Sequence, residues 1–397
     1  MAISVPKGFR LAGVACGIKH DAAKHDLALV VSDRPAAAAG VYTQNVVYAA
    51  PVAYDRRITP SDRVRAVVAN SGSANACTGQ RGLDDARRMA QLAAETFGGS
   101  EDQVLVLSTG IIGAYLPMDK IAQGIRSAAA GLGGDDRALA SAARAIMTTD
   151  TVPKLAGRML SLSGADVRIT GMAKGAGMIG PNMATMLGIV LTDAALAPDV
   201  AQQLLVRTAD ASFNCISVEG HMSTNDTVLL LANGAAAERP PAGDDLEAFG
   251  RALSEVCVEL ARAIPADGEG ASHLVTIEVE GCRDGRAARR IAKTVAESAL
   301  VKTAIAGADP NWGRIVSAAG YAGVDFDPAG VRLEVNGTVL YEAGRPVEFD
   351  ARAVSDSMRA NRDTLVRLQF CEGRAACRFW TSDLTAEYVR INADYHT

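Results

Sequence analysis

Strand-length apolar runs alternate with longer stretches of helical period along the whole chain, and that alternation points to a mixed α/β fold. Asp26–Ser32 and Val64–Ala69 read as buried strands that end in polar turn residues. Leu83–Phe97 carries Ala86, Met89, Ala90, Leu92 and Ala93 at helical spacing, with Gly98 and Gly99 as the stop. Val104–Leu107 is strand-like and runs straight into Ser108-Thr-Gly-Ile-Ile-Gly113. The spacing predicts helices over Met118 to Gly131 and Arg137 to Met147, then strands Val167–Thr170 and Ile189–Leu191 around a glycine-rich segment, Gly171–Gly180. The second half repeats the mixture. Helices are expected over Val200–Ala211, Asp244–Ala263 and Arg286–Leu300, and strands over Thr227–Ala232, Leu274–Val279, Val331–Val335, Val366–Gln369 and Ala376–Trp380. Asn233–Asp245, which holds Pro240 and Pro241, reads as an exposed breaker. The expected architecture is α/β, in two intertwined halves.

With 49% of its 397 residues hydrophobic and 21% charged, the chain is too apolar for disorder and long enough for one large or two fused domains. A net charge of −5 without clustered cations, and aromatic residues at only 5%, argue against a nucleic-acid surface. The seven cysteines form no C-x-x-C and the five histidines no H-x-x-x-H, so no metal site is expected. Scattered free thiols fit a reducing compartment, and the expected location is the cytoplasm. No apolar run approaches the roughly 18 residues of a membrane helix, so no membrane partner is expected. Lys7 and Arg10 before Leu11–Ile18 faintly imitate a signal peptide, but Pro6, Gly13 and Gly17 argue against one.

Four local motifs carry chemistry. Gly175-Ala-Gly-Met-Ile-Gly180 spells G-x-G-x-x-G, yet Pro181-Asn182 and the apolar run behind it favour a turn into a strand over the helix that a dinucleotide needs. Thr185 follows that turn. Its Oγ is suited to attack the carbonyl of Ala184, giving an ester whose hydrolysis exposes an N-terminal threonine. The freed α-amine, with an ordinary pKa of about 7.7–8.0, is then the nucleophile's own general base. Taken alone, an ordinary strand threonine is the simpler reading. Ser108-Thr109-Gly110 combines a hydroxyl and a backbone N–H as an oxyanion hole requires, though taken alone a plain strand-ending turn is the simpler reading. Asp267-Gly-Glu-Gly270 places a carboxylate, Glu269, between glycines on a loop, either solvated or suited to a substrate ammonium.

Lys174-Gly-Ala-Gly-Met-Ile-Gly-Pro-Asn-Met-Ala-Thr-Met-Leu187 resembles the processing segment of the ornithine acetyltransferase family, the glutamate N-acetyltransferases of arginine biosynthesis. The resemblance extends over Pro6–Arg10, Asn70–Gly79, Ser108–Gly113, Thr148–Thr151, Ser223–Thr227, Gly268–Ala271, Asp309–Arg314 and Asn392–Tyr395, in the family's order and over nearly the whole chain. It implies a layered sandwich of sheets and helices like that of N-terminal-nucleophile enzymes, cut between Ala184 and Thr185. The products would be an α chain, 1–184, and a β chain, 185–397, assembled as α2β2. Thr185 would take the acetyl group of N-acetylornithine and pass it to glutamate, with Thr109 and Gly110 stabilising the oxyanion. Thr148, Lys174, Thr185, Glu269, Asn392 and Thr397 match the substrate-contacting positions. No cofactor is implied. Acetyl-CoA is left open as a second donor, since some family members use it and others only recycle the acetyl group. The alternative is a self-processing hydrolase like the β-aminopeptidases. Two positions depart from the family pattern: Glu219-Gly-His-Met222 replaces an aspartate-glycine-aspartate run, and His396 replaces an arginine. Both bear on substrate preference and subunit contacts, not on the reaction class.

Overall fold

The computed structural model describes residues 3–162, 164–180 and 186–394. Two sheets hold the apolar runs. The first contains β1 (Phe9–Val14), β2 (Leu27–Tyr42), β3 (Ser61–Ser73), β4 (Val104–Ile111), β5 (Lys154–Leu162), β6 (Ala165–Lys174), β7 (Leu187–Ala194) and, after the short β8 (Ile216–Ser217) of the other sheet, β9 (Thr227–Ala237). Its order is β4-β3-β2-β9-β7-β6-β5, with β1 paired to β2. The β3–β4 and β7–β9 pairs are parallel; β2–β9 and β6–β7 are antiparallel. The second sheet adds β10 (Leu274–Cys282), β11 (Arg332–Val335), β12 (Thr338–Glu342), β13 (Arg345–Pro346), β14 (Asp363–Gln369) and β15 (Ala375–Ser382), in the order β13-β12-β11-β14-β10-β15-β8.

Side-chain pattern explains the difference between the sheets. Helices α1 (Ala50–Asp55), α2 (Gly79–Glu95) and α3 (Met118–Ala130) cover β2–β4, where Met89, Ile121 and Ile125 join Leu29, Val68 and Val106. Helix α4 (Asp136–Ala145) puts Leu139, Ala142 and Ala143 into a separate core with Val30, Leu105 and Leu229. The central strands are thus buried on both sides, which is why Leu27–Val31 and Val228–Ala232 are continuously apolar. A third core joins α5 (Pro198–Ala211) and α6 (Asp244–Ala266) to Val190 and Leu230 of the first sheet and to Ile277, Val279 and Phe379 of the second. On β10, Val275, Ile277 and Val279 point into that core, whereas Glu278 lies on the other face with Arg367 and Arg378 at 2.8 Å each. That alternation is the mark of a sheet with one solvated side. No helix among the described residues is long and apolar enough to cross a membrane.

Two expectations need correction. The helix expected over Arg286–Leu300 is two, α7 (Gly285–Glu297) and α8 (Ala299–Ala306). Ser298 leaves helical geometry at ψ 111° and caps the second with its side chain. The breaker expected from Asn233 begins later, because β9 continues to Ala237. Asn233 is satisfied inside the fold by the Lys7 carbonyl at 3.0 Å and Ser32 Oγ at 3.3 Å, and Gly234 takes φ +67° where the register shifts. The apolar stretch from Leu11 starts inside β1, with Leu11 opposite Val30. The chain continues through α9 (Trp312–Gly320) and α10 (Ala351–Ala360) to α11 (Ala386–Asp394), which brings the last described residues back to the loop after α6.

Candidate active site

Strand β4 delivers Thr109 and Gly110 beside Ser71 and Gly72 of β3. Gly110 has φ +133°, and a Cβ there would lie 2.3 Å from the Gly72 carbonyl carbon, so only glycine fits this approach. Asn225, in the loop before β9, fixes the strand ends by donating to the carbonyls of Ser108 at 2.8 Å and Ala74 at 2.6 Å. Lys174 is the last residue of β6, opposite Leu187 of β7, and its side chain is fully buried. Its Nζ donates to Thr109 Oγ1 at 3.3 Å.

Glu269 enters from the loop that ends α6. Its N–H donates to the Ala176 carbonyl at 2.9 Å, and its Oε2 accepts from Asn392 Nδ2 of α11 at 2.9 Å. Gly177 makes this packing possible: a Cβ on it would come within 2.5 Å of the Glu269 carboxylate. Thr148 completes the ring, and its N–H donates to Asp150 Oδ2 at 3.0 Å. Thr109, Gly110, Thr148, Lys174, Glu269 and Asn392, six positions singled out in the sequence, line one cavity of about 300 Å³. Ala184, Thr185 and Thr397 lie outside the described residues.

Sequence reasoning gave no role to several neighbours. Asp150 and Lys154 form a buried ion pair at 2.7 Å, and Lys154 reaches Asp267 at 2.6 Å. Asp267 is taken up by Lys154 and by the Thr151 N–H and hydroxyl. Asp226 is fully buried and accepts the Met186 N–H at 3.0 Å; burial holds its carboxyl well above the usual range. Glu219, at the departure from the family run, is pushed up to about 7 by burial, with Glu269 adding to the effect. The signal for Asp150 and Asp226 was their place inside the Thr148–Thr151 and Ser223–Thr227 motifs. No helix opens within Gly175–Gly180.

The fold and cavity define a two-sheet α/β protein whose cavity is lined by a buried cation, Lys174, and a carboxylate, Glu269. The ArgJ family model matches residues 10–397. The arginine biosynthesis bifunctional protein ArgJ of Rhodopirellula baltica is 47% identical over 99% of this chain and 96% of its own. The protein of the same name from Geobacter sulfurreducens is 48% identical over 98% and 99%. A crystal structure of arginine biosynthesis bifunctional protein ArgJ from Bacillus halodurans matches with a TM-score of 0.50 and 34% identity, covering 51% of this chain and 96% of that one. The chain belongs to the ArgJ family, as the motifs around Thr185 implied.

Proposed function

We propose that this chain cuts itself between Ala184 and Thr185 and then transfers the acetyl group of N-acetylornithine to glutamate through an acetyl-threonine on Thr185. The observation that carries the reading is the convergence of six family-matched positions, scattered from Thr109 to Asn392, on one cavity. Thr185 Oγ attacks the acetyl carbonyl while its α-amine takes the proton. Charge develops on the acetyl oxygen, where the Thr109 hydroxyl and the Gly110 N–H are donors. Because Lys174 donates to Thr109 Oγ1, the threonine's own hydrogen is left free for that oxygen. Collapse breaks the C–N bond, the α-amine returns its proton, and ornithine leaves. Glutamate's amine then attacks the ester and restores the threonine. Lys174 is placed to attract the substrate carboxylate and Glu269 an ammonium.

The same reading includes acetyl-CoA as a second donor, an α2β2 assembly, a cytoplasmic location and no resident cofactor. The half-length chain that Bacillus halodurans ArgJ presents supports the division into two polypeptides.

Kinetic order tests the mechanism. One nucleophile that carries the acetyl group between two amino acids gives parallel double-reciprocal lines, and acetylornithine alone should add one acetyl mass to the chain beginning at Thr185. Intersecting lines with no acetylated chain would mean direct transfer; release of acetate without glutamate acetylation would mean a hydrolase. A second expectation concerns Gly177→Ala. Its Cβ must displace the Glu269 carboxylate from Asn392, so KM for the amino-acid substrates should rise roughly tenfold, about 1.4 kcal/mol of binding, with the thermal midpoint retained. An unchanged KM would remove Glu269 from the binding site.

A further inference from the structure

A buried chain of alternating charges runs beneath the cavity floor. Asp150 Oδ1 accepts from the Gly175 N–H at 2.6 Å and from Lys154 Nζ at 2.7 Å, while its Oδ2 accepts from the Thr148 N–H at 3.0 Å. Lys154 continues to Asp267 Oδ2 at 2.6 Å, two residues before Glu269. Asp150 and Lys154 are both shut off from solvent, with side chains 0% and 1% exposed. Neither lines the cavity. One carboxylate therefore ties down the segment holding Thr148, the segment holding Lys174 and, through one lysine, the loop holding Glu269.

We infer that Asp150 is the positioning residue of the transfer site: it registers the Thr148, Lys174 and Glu269 segments against one another and supplies the counter-charge to the Lys174 ammonium. This inference rests on the function proposed above. The charges around Lys174 support it. Burial pulls that ammonium below the ordinary lysine range; Asp150 leads the groups that oppose the pull, followed by Asp226 and Glu269, while Lys154 adds to it; Lys174 and Lys19 also repel one another. Asp150 is itself ionised through the working range. Burial alone would raise its carboxyl, but Lys174, Lys154 and the Gly175 N–H outweigh burial and bring it down to about 2.

Two variants should move the pH profile in opposite directions. Asp150→Asn removes the counter-charge, so Lys174 loses its proton at lower pH, and the alkaline limb of kcat/KM should move down by roughly one pH unit. Lys154→Met removes a repelling charge but leaves Asp150, so the alkaline limb should move up. General loosening of the site cannot produce shifts of opposite sign. Profiles measured on the processed enzyme with acetylornithine and glutamate decide the matter, and where Asp150→Asn does not fold, a Lys154→Met limb that stays in place or moves down overturns the inference by itself. Limbs that stay in place, or move together, in variants of an active enzyme overturn the inference; an unmodified enzyme that transfers no acetyl group overturns the function beneath it instead.

Discussion

Thr185→Ala should yield a single polypeptide of 41.2 kDa that transfers no acetyl group. The unmodified chain, divided in the proportion of residues 1–184 to 185–397, should give bands of about 19 and 22 kDa on a denaturing gel. Both losses follow from one missing atom. The Oγ that attacks the Ala184 carbonyl during processing is the Oγ that later attacks the acetyl group, and no general base can replace an absent nucleophile. Thr185→Ser keeps the oxygen and should process and turn over, at lower rates. Normal cleavage in the alanine variant would show that processing uses another group.

Thr109→Val should lower kcat by about 10²–10³. Valine keeps the branched shape but removes the hydroxyl hydrogen that Lys174 leaves free and the oxygen to which Lys174 donates. The charge these groups serve exists mainly in the transition state, so KM for acetylornithine should change much less than kcat. An equal rise in KM at constant kcat would make Thr109 a ground-state contact, and no change in either would make it a turn residue only.

The fold was legible where burial is simple. Ala66–Ala69, Val104–Leu107 and Val228–Ala232 are apolar on both faces, and β10 alternates because one of its faces is solvated. Legibility failed where a segment takes its identity from distant neighbours. Lys154–Leu162 contains Gly157 and Arg158 and gave no strand pattern, yet it closes one edge of the first sheet, where Arg158 pairs with Glu255 and Glu259. Arg345–Pro346 is too short to announce itself at all. The site divides in the same way. Thr109, Lys174 and Glu269 stand inside motifs whose residue types carry the chemistry. The partnership of Lys154 with Asp267 spans 113 positions and is made only when α6 brings its end to the base of β5. Spacing cannot encode that, because nothing local requires either charge.

The order of the first sheet has a consequence for how the molecule matures. Under the proposed cut, β7 and β9 belong to the later chain and lie between β2 and β6 of the earlier one, main-chain bonded on both sides. The two products are interleaved like the fingers of clasped hands, so they cannot trade partners without unfolding the sheet. Each catalytic centre is then composed of two pieces born in the same act of synthesis. Their ratio is fixed at one to one by translation, no free half accumulates to be exchanged or regulated, and the cut acts as a one-way coming of age rather than a step of assembly.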